Sequence, residues 1–308
     1  MRLYITYKSD PDVKNILVGL REIKEIEIVE DIKESDYMIV FSCVYNLPRL
    51  FKDKPYKMKR MKEIYNEYLR IKDYPVERVI IVDYTDYSNL FCLKEEDQQK
   101  CLLYFKRMCV ERKNNISYGL KKYNREVIPI GFYIREDSYN YVNSRRLERD
   151  YDISCLFNGK DRGLRRDIYN HLVKRKSNKI FVGCIERKKK YYNEVNNGYL
   201  DQLLRSKIIV TSNPKNHEGD YRLYEALLCG GLVLVDKFIV PVINSFRDRE
   251  HLVYYSSLEE LDKLLEYYLL NEEERERIAL NGREYALRNH RGRNRGYEIY
   301  EEIRRVIK

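Results

Sequence analysis

The sequence predicts an α/β protein of two Rossmann-like, parallel-sheet halves facing one another and closed by a C-terminal helical tail. Three observations carry this expectation. The chain has 308 residues, and at about 150 residues per domain that is enough for two separate cores. Short β-rich runs alternate with helical periods through both halves, which is the pattern of parallel strands joined by crossover helices. Between the halves, the stretch from Asp137 to Asp150 (DSYNYVNSRRLERD) is polar, charged and aperiodic, as an interdomain linker would be. The expected domains are therefore 1–150 and 151–308.

The elements follow in order. Residues 2–7 read as a strand, and Val13, Ile16, Leu17 and Leu20 recur at helical spacing. A short strand over 25–29 and a buried one over 36–42 (DYMIVFS) come next. Lysine-rich helical text spans 56–71, followed by strands over 78–83 (RVIIVD) and 126–130 (EVIPI). In the second half the expected strands are 151–157, 179–182, 207–211 and 231–236, with helices over 164–174, 199–204 and 220–228 between them. The tail is helical. Ser257 with Glu260 forms a capping box ahead of the stripe Leu258, Leu261, Leu264, Leu265 and Tyr268. Asn271 precedes three glutamates that suit the positive end of the next helix dipole. Tyr297, Tyr300, Ile303 and Ile307 stripe the last helix.

Composition narrows the function classes. No apolar run approaches the roughly 20 residues that span a bilayer, and the first residues (MRLYITYKSD) lack the apolar core of a signal peptide. Seven cysteines without a CxxC pair indicate neither a disulfide framework nor a zinc site. The expected location is the cytoplasm. A net charge of +10 favours anionic partners: nucleic acid, anionic membrane surfaces at the periphery, or phosphorylated small molecules. The 30 tyrosines without any tryptophan read as ordinary packing.

In open parallel sheets ligands lie off the carboxyl ends of the strands, so the loops there hold the candidates. The run from Phe157 to Arg166 (FNGKDRGLRR) leads from a strand through two glycines and several cations into a helix. Gly159, Lys160 and Arg165 could receive a phosphate beside free helix amides, or the run is a polar turn. The run from His217 to Asp236 (HEGDYRLYEALLCGGLVLVD) enters a helix that shows Arg222 and Glu225 on one face and ends at Gly230 and Gly231. A carboxylate can accept two ribose hydroxyls and an arginine can take a diphosphate; the alternative is an ion pair on an ordinary helix.

This segment, with its continuation EHLVYYSSLEELDKLLEYYLLNEEERERIALNGREYALRNHRGRNR, resembles the C-terminal domain of group-1 glycosyltransferases of the spore-maturation type. The matching residues include Arg222, Tyr224, Glu225, Ala226, Gly230, Gly231, Arg275, Gly282, Arg283 and His290. A more distant likeness is to the exostosin-type glycosyltransferases. The resemblance implies the GT-B fold, with two Rossmann-like domains about a cleft, and transfer of a sugar from a nucleotide donor held by residues 151–308 to an acceptor hydroxyl on the 1–150 side. It implies Glu225 on the ribose and Arg222, Arg165 or Lys160 on the diphosphate, with close approach of the donor at Gly230 and Gly231. Gly159, His217, Glu218 and Tyr221 complete the donor set. No cofactor or metal is expected, the UDP- or GDP-linked sugar being a substrate. Many retaining relatives carry two glutamates with seven residues between them, whereas six separate Glu218 from Glu225, and exostosin-type enzymes invert. The stereochemistry is left open.

In the first half, Asp83, Asp86 and Asp10 follow strands and are the candidates for a base on the acceptor hydroxyl or a contact to it, or are turn residues. His171 and His251 read as surface residues, and the four histidines show no metal-ligand spacing. The competing readings are a non-enzymatic, basic nucleic-acid-binding protein, for which no motif is present, and a catalytically inactive relative.

Overall fold

The computed structural model describes residues 1–6, 8, 10–41, 66–67, 69–84, 99–107, 109–111, 116–117, 125–157, 163–184, 196–213, 219–238 and 243–307. The chain divides into two compact units, Met1–Gly131 with Gly292–Lys308, and Phe132–Arg291.

The first unit is built on a parallel sheet of β1 (Arg2–Ile5), β2 (Glu27–Val29), β3 (Tyr37–Phe41), β4 (Val79–Asp83), β5 (Leu103–Lys106) and β8 (Ile128–Pro129), in the order β2-β1-β3-β4-β5-β8. A short antiparallel pair, β6 (Cys109–Glu111) and β7 (Ile116–Ser117), stands apart. Helix α1 (Pro11–Arg21) follows β1 and buries Val13, Ile16, Leu17 and Leu20, the four residues expected at helical spacing. Every residue of β4 is buried, because a parallel sheet covered on both faces leaves no strand position for water. The strand β5 (LYFK) was not expected: it is too short and flanked by too little periodic text to be told from a helix turn. The helix expected over 56–71 lies outside the described residues except for its last turn.

The second unit repeats the plan with α2 (Glu136–Asn143), β9 (Tyr151–Cys155), α3 (Leu164–Leu172), β10 (Ile180–Val182), α4 (Asn197–Leu204), β11 (Ser206–Val210), α5 (Tyr221–Cys229), β12 (Leu232–Asp236), β13 (Val253–Tyr255), α6 (Leu258–Leu270) and α7 (Glu272–Asn289). Its parallel sheet runs β10-β9-β11-β12-β13. The last helix, α8 (Gly292–Val306), belongs to the first unit. On α6, Leu261, Leu264, Leu265 and Tyr268 are buried as expected, and Ser257 caps the helix by accepting from the Glu260 amide at 3.1 Å.

Two boundaries differ from expectation. Residues 136–143 are helical, although expected in a linker; α2 buries only Ser138 and Val142, too little to mark an apolar stripe. The chain passes between units at 131/132 and returns at 291/292, so neither the 150/151 boundary nor the assignment of the tail to one domain holds. The return is written in glycines that hydropathy does not register. A Cβ on Gly19 of α1 would stand 2.0 Å from the Arg293 carbonyl oxygen, and one on Gly296 would stand 2.6 Å from that of Ile16. Helices α1 and α8 thus meet backbone to backbone. The buried face of α8 is Gly292, Arg295, Gly296, Ile299 and Ile303, while Ile307 is exposed. Of the expected stripe, Ile303 alone is buried.

Candidate functional site

In the second sheet the strand order reverses between β9 and β11, and ligands of such sheets bind off the carboxyl ends of the strands at that reversal. Three chain segments meet there. After β9, Phe157 is buried, residues 158–162 lie outside the described residues, and Gly163 opens α3 with φ 61° and ψ −144°, a backbone region that glycine alone adopts without strain. After β11 come Thr211, Ser212 and Asn213. Beyond 214–218, also outside the described residues, Gly219 has φ 111° and Asp220 caps α5.

Arg165, on the first turn of α3, ties these segments together. Its Nη2 donates to the Ser212 carbonyl and to Asp220 Oδ2, both at 2.7 Å, and its Nε donates to the Ser212 carbonyl at 3.2 Å. Asp220 Oδ1 accepts from the Arg222 amide at 3.0 Å, and Arg222 Nη1 reaches Asp220 Oδ2 at 3.2 Å. One carboxylate therefore caps α5 and joins two guanidinium groups at the helix end where the dipole is positive. Arg222 is 40 % exposed and Arg165 only 15 %. Glu225 lies one turn into α5 and is 7 % exposed. Tyr221, on the first turn, meets Phe132 and Tyr133 edge-on at ring distances of 5.0 and 5.6 Å.

The far side of the Ser212 turn is held by Asp236 at the end of β12. Its Oδ1 accepts from the Asn213 amide at 2.7 Å, and its carbonyl accepts from Asn213 Nδ2 at 2.9 Å. Burial pushes the Asp236 carboxyl above the usual aspartate range, against the opposing pull of the Asn213 amide. The native state then holds this proton more tightly than the unfolded chain, so stability falls as pH rises from the ordinary aspartate value through the raised one. Asp236→Asn is expected to flatten the dependence of the melting temperature on pH between about 4 and 7. An unchanged slope in thermal melts across that range would rule out this role.

The structure separates residues that the sequence grouped. Gly230 (φ 72°) ends α5 at the opposite edge of the sheet, because α5 runs back to the amino end of β12. There the protein itself fills the space. A Cβ on Gly230 would lie 3.1 Å from Arg283 Cδ and 3.3 Å from Arg149 Nη2, and one on Gly231 would lie 2.9 Å from Ile209 Cδ1 and the Ser206 carbonyl oxygen. Arg149 donates to the Cys229 and Gly230 carbonyls and Arg283 to that of Leu228, neutralising the helix C-terminus. Gly230 and Gly231 are thus turn and packing residues rather than donor contacts.

Asp83 is likewise corrected. It is fully buried at the end of β4, with Lys106 Nζ 3.4 Å from Oδ1 and the Tyr104 hydroxyl donating to Oδ2 at 2.9 Å. A base must touch the acceptor, and this carboxylate has no surface with which to do so. Asp10 caps α1, its Oδ1 accepting from the Asp12 amide at 2.9 Å. Gly159, Lys160, His217, Glu218 and Asp86 lie outside the described residues. His251, expected at the surface, is 6 % exposed and stacks on Tyr285 at 4.0 Å. Sequence reasoning missed Asp220 and Asp236, whose only signal was their place beside a helix start and at a strand end.

Among the described residues no group of three or more histidines, cysteines, aspartates or glutamates could hold a metal ion, and no helix is long and apolar enough to cross a membrane. Residues 165–301 match the family described as glycosyl transferase-like. Among solved structures, a glycosyltransferase from Rickettsia africae is similar over 100% of this chain and 98% of that one, with a TM-score of 0.54 and 11% identity. HepE of Anabaena in complex with UDP is similar over 98% of this chain and 99% of that one, with a TM-score of 0.53 and 10% identity. The same protein with UDP-glucose gives a TM-score of 0.52 at 9% identity over 98% of both chains. No curated protein matches the chain in sequence. With two parallel-sheet α/β units along its length and structures of this kind similar to it end to end, the chain has the GT-B fold, and its residues 165–301 are similar to the family described as glycosyl transferase-like.

Proposed function

We propose that this chain transfers a sugar from a nucleoside diphosphate sugar to a hydroxyl of a glycan or glycoconjugate, with the donor held by the unit of residues 132–291. The observation that carries this reading is the convergence of Arg165, Asp220, Arg222 and Glu225 at the carboxyl ends of β9 and β11, within the segment that matches the family. Glu225 accepts ribose hydroxyls; Arg222 and the first-turn amides of α5 take the diphosphate; Asp220 and Arg165 hold that turn in place. Gly159, Lys160, His217 and Glu218 are assigned to the same donor. Charge developing on the leaving diphosphate is met by these cations and amides, so the reading calls for no metal or cofactor. The first unit takes the acceptor, with Asp86 or Asp10 as the base. The tail residues quoted above support the spore-maturation type among glycosyltransferases.

HepE was solved with UDP and with UDP-glucose, which makes uridine diphosphate the first donor nucleotide to test and guanosine diphosphate the second. A ligand of the native state alone raises stability by about 2.7 kcal/mol at a hundred times its dissociation constant. The expected result is that UDP or GDP, among UDP, GDP, ADP and CMP, raises the melting temperature of the wild type. Glu225→Ala is expected to weaken that binding about tenfold or more, since it removes hydrogen bonds to a charged acceptor. No shift with any nucleotide, together with RNA binding that falls steeply with salt, would overturn the reading.

A further inference from the structure

The segment from Asn244 to Leu252 lies between β12 and β13 and holds the two non-glycine residues with left-handed backbone among the described residues, Asn244 (φ 54°) and Arg249 (φ 56°). An L side chain costs free energy in that region, an arginine more than an asparagine, so contacts must hold the segment closed. The Arg249 amide donates to the Leu252 carbonyl at 2.7 Å, the His251 amide to the Arg247 carbonyl at 3.0 Å, and the Tyr254 amide to Asp248 Oδ1 at 2.8 Å. His290 Nε2 meets the Asn244 carbonyl at 2.9 Å. Between these ties Phe246 is buried against α5 and α7, its ring 6.0 Å from that of Tyr224 and 5.8 Å from that of Tyr285.

One further bond depends on a proton. The Arg247 amide donates to Nδ1 of His251 at 3.1 Å, so that nitrogen offers its lone pair and the imidazole is neutral. The hydrogen then sits on Nε2, 3.4 Å from Glu250 Oε1. The ring is buried and lies nearly parallel to that of Tyr285, 4.0 Å away at 18°. A proton added at Nδ1 would set two donors against each other and place a charge where water scarcely reaches. Among the described residues, the charged and titratable groups that face the ring are Glu250 and Arg247 on its own segment and the Tyr285 phenol from α7. His290 is one ring further, against Phe246 at 4.8 Å. Burial holds the imidazole below its ordinary value; the Glu250 carboxylate opposes this and the Arg247 guanidinium adds to it.

We infer that residues 244–252 form an acid-released latch: neutral His251 keeps the segment closed on α5 and α7, and a proton on Nδ1 lets it open while the rest of the unit stays folded. In the open segment the histidine has its ordinary value of about 6.5, whereas the closed segment takes the proton less readily. Closure is therefore complete above about pH 6.5 and weakens as pH falls below it, toward the lower value of the closed state. Opening relieves the left-handed backbone at Asn244 and Arg249 and withdraws Phe246 from Tyr224 of α5. The latch is independent of which nucleotide the unit binds.

The test is hydrogen exchange of the full chain at about pH 7.5 and 5.5, read by mass spectrometry on peptides across 244–254 and corrected for the intrinsic exchange rate at each pH. In the wild type, protection of these amides is expected to fall by up to about tenfold at the lower pH, the factor by which a histidine of about 6.5 shifts the balance when the closed state stays unprotonated. Peptides of α6 are expected to keep their protection. His251→Asn offers a side-chain oxygen to the Arg247 amide and does not titrate, so its protection is expected to differ by less than about twofold between the two conditions. Should His251→Asn not fold, nitrogen-15 spectra of the histidine-labelled wild type decide: His251 is expected to carry its hydrogen on Nε2 and to titrate below about 6.5. A wild-type change under about twofold, an equal loss in α6, the same loss in His251→Asn, or a His251 midpoint at or above about 6.5 each overturns the latch.

Discussion

Lys106→Met is expected to destabilise the first unit by about 3–5 kcal/mol, the cost of leaving a buried charge without its partner. Lys106 and Asp83 are both fully buried, 3.4 Å apart at adjacent strand ends, and β4 and β5 pair in register at these two residues. The Tyr104 hydroxyl supplies a second bond to the same carboxylate. Asp83→Asn alone is expected to be damaging as well, because it strands the ammonium. The double variant Lys106→Met with Asp83→Asn is expected to recover most of the loss, since it removes both charges and leaves an amide oxygen for Tyr104. Urea unfolding followed by circular dichroism measures all three. Single variants within about 0.5 kcal/mol of wild type would show that the pair does not hold the sheet. The same series separates structure from chemistry, because a catalytic aspartate could be neutralised without a penalty in stability.

Gly282→Val is the second large effect. Gly282 sits in the middle of α7, where glycine costs about 1 kcal/mol relative to alanine, so something else must require it. An added Cβ would lie 1.9 Å from the His251 carbonyl oxygen and 3.2 Å from Leu227 Cδ2. The first obstacle is backbone and cannot move aside as a rotamer would. Either α7 withdraws from α5 or the segment ending at His251 is displaced, and with it the stack of His251 on Tyr285. A loss of about 3 kcal/mol or more is expected, at the upper end of overpacking costs because β-branching adds to the clash. Gly282→Ala should follow at about 1–3 kcal/mol. Melting temperatures equal to wild type for both would show that the two backbones are further apart than the structure places them.

How far the sequence could be read depended on whether a feature expresses itself locally. The alternation of buried strands with amphipathic helices is local, and β1, β3, β4, β9, β11, β12 and α1 stand close to where periodicity put them. The helix of Arg222 and Glu225 was legible because an apolar run and the glycines that stop it lie next to each other in the chain. Strands β5 and β13 were not, since three or four apolar residues carry no period of their own.

The sequence by itself determined the two parallel-sheet halves, the helix that carries Glu225 and the family likeness of the second half. These follow from the period of apolar residues and from short motifs, and both are properties of consecutive residues. The tertiary structure alone decided which aspartate is sealed in the core, which caps a helix, and which helix belongs to which unit. Asp83 and Asp10 look alike as strand-end carboxylates, but one is sealed against Lys106 and the other caps α1. Helix α8 follows α7 directly, yet joins the first unit, because Gly19, Gly292 and Gly296 allow its backbone to touch that of α1. Burial and proximity depend on residues distant along the chain, and no periodicity records them.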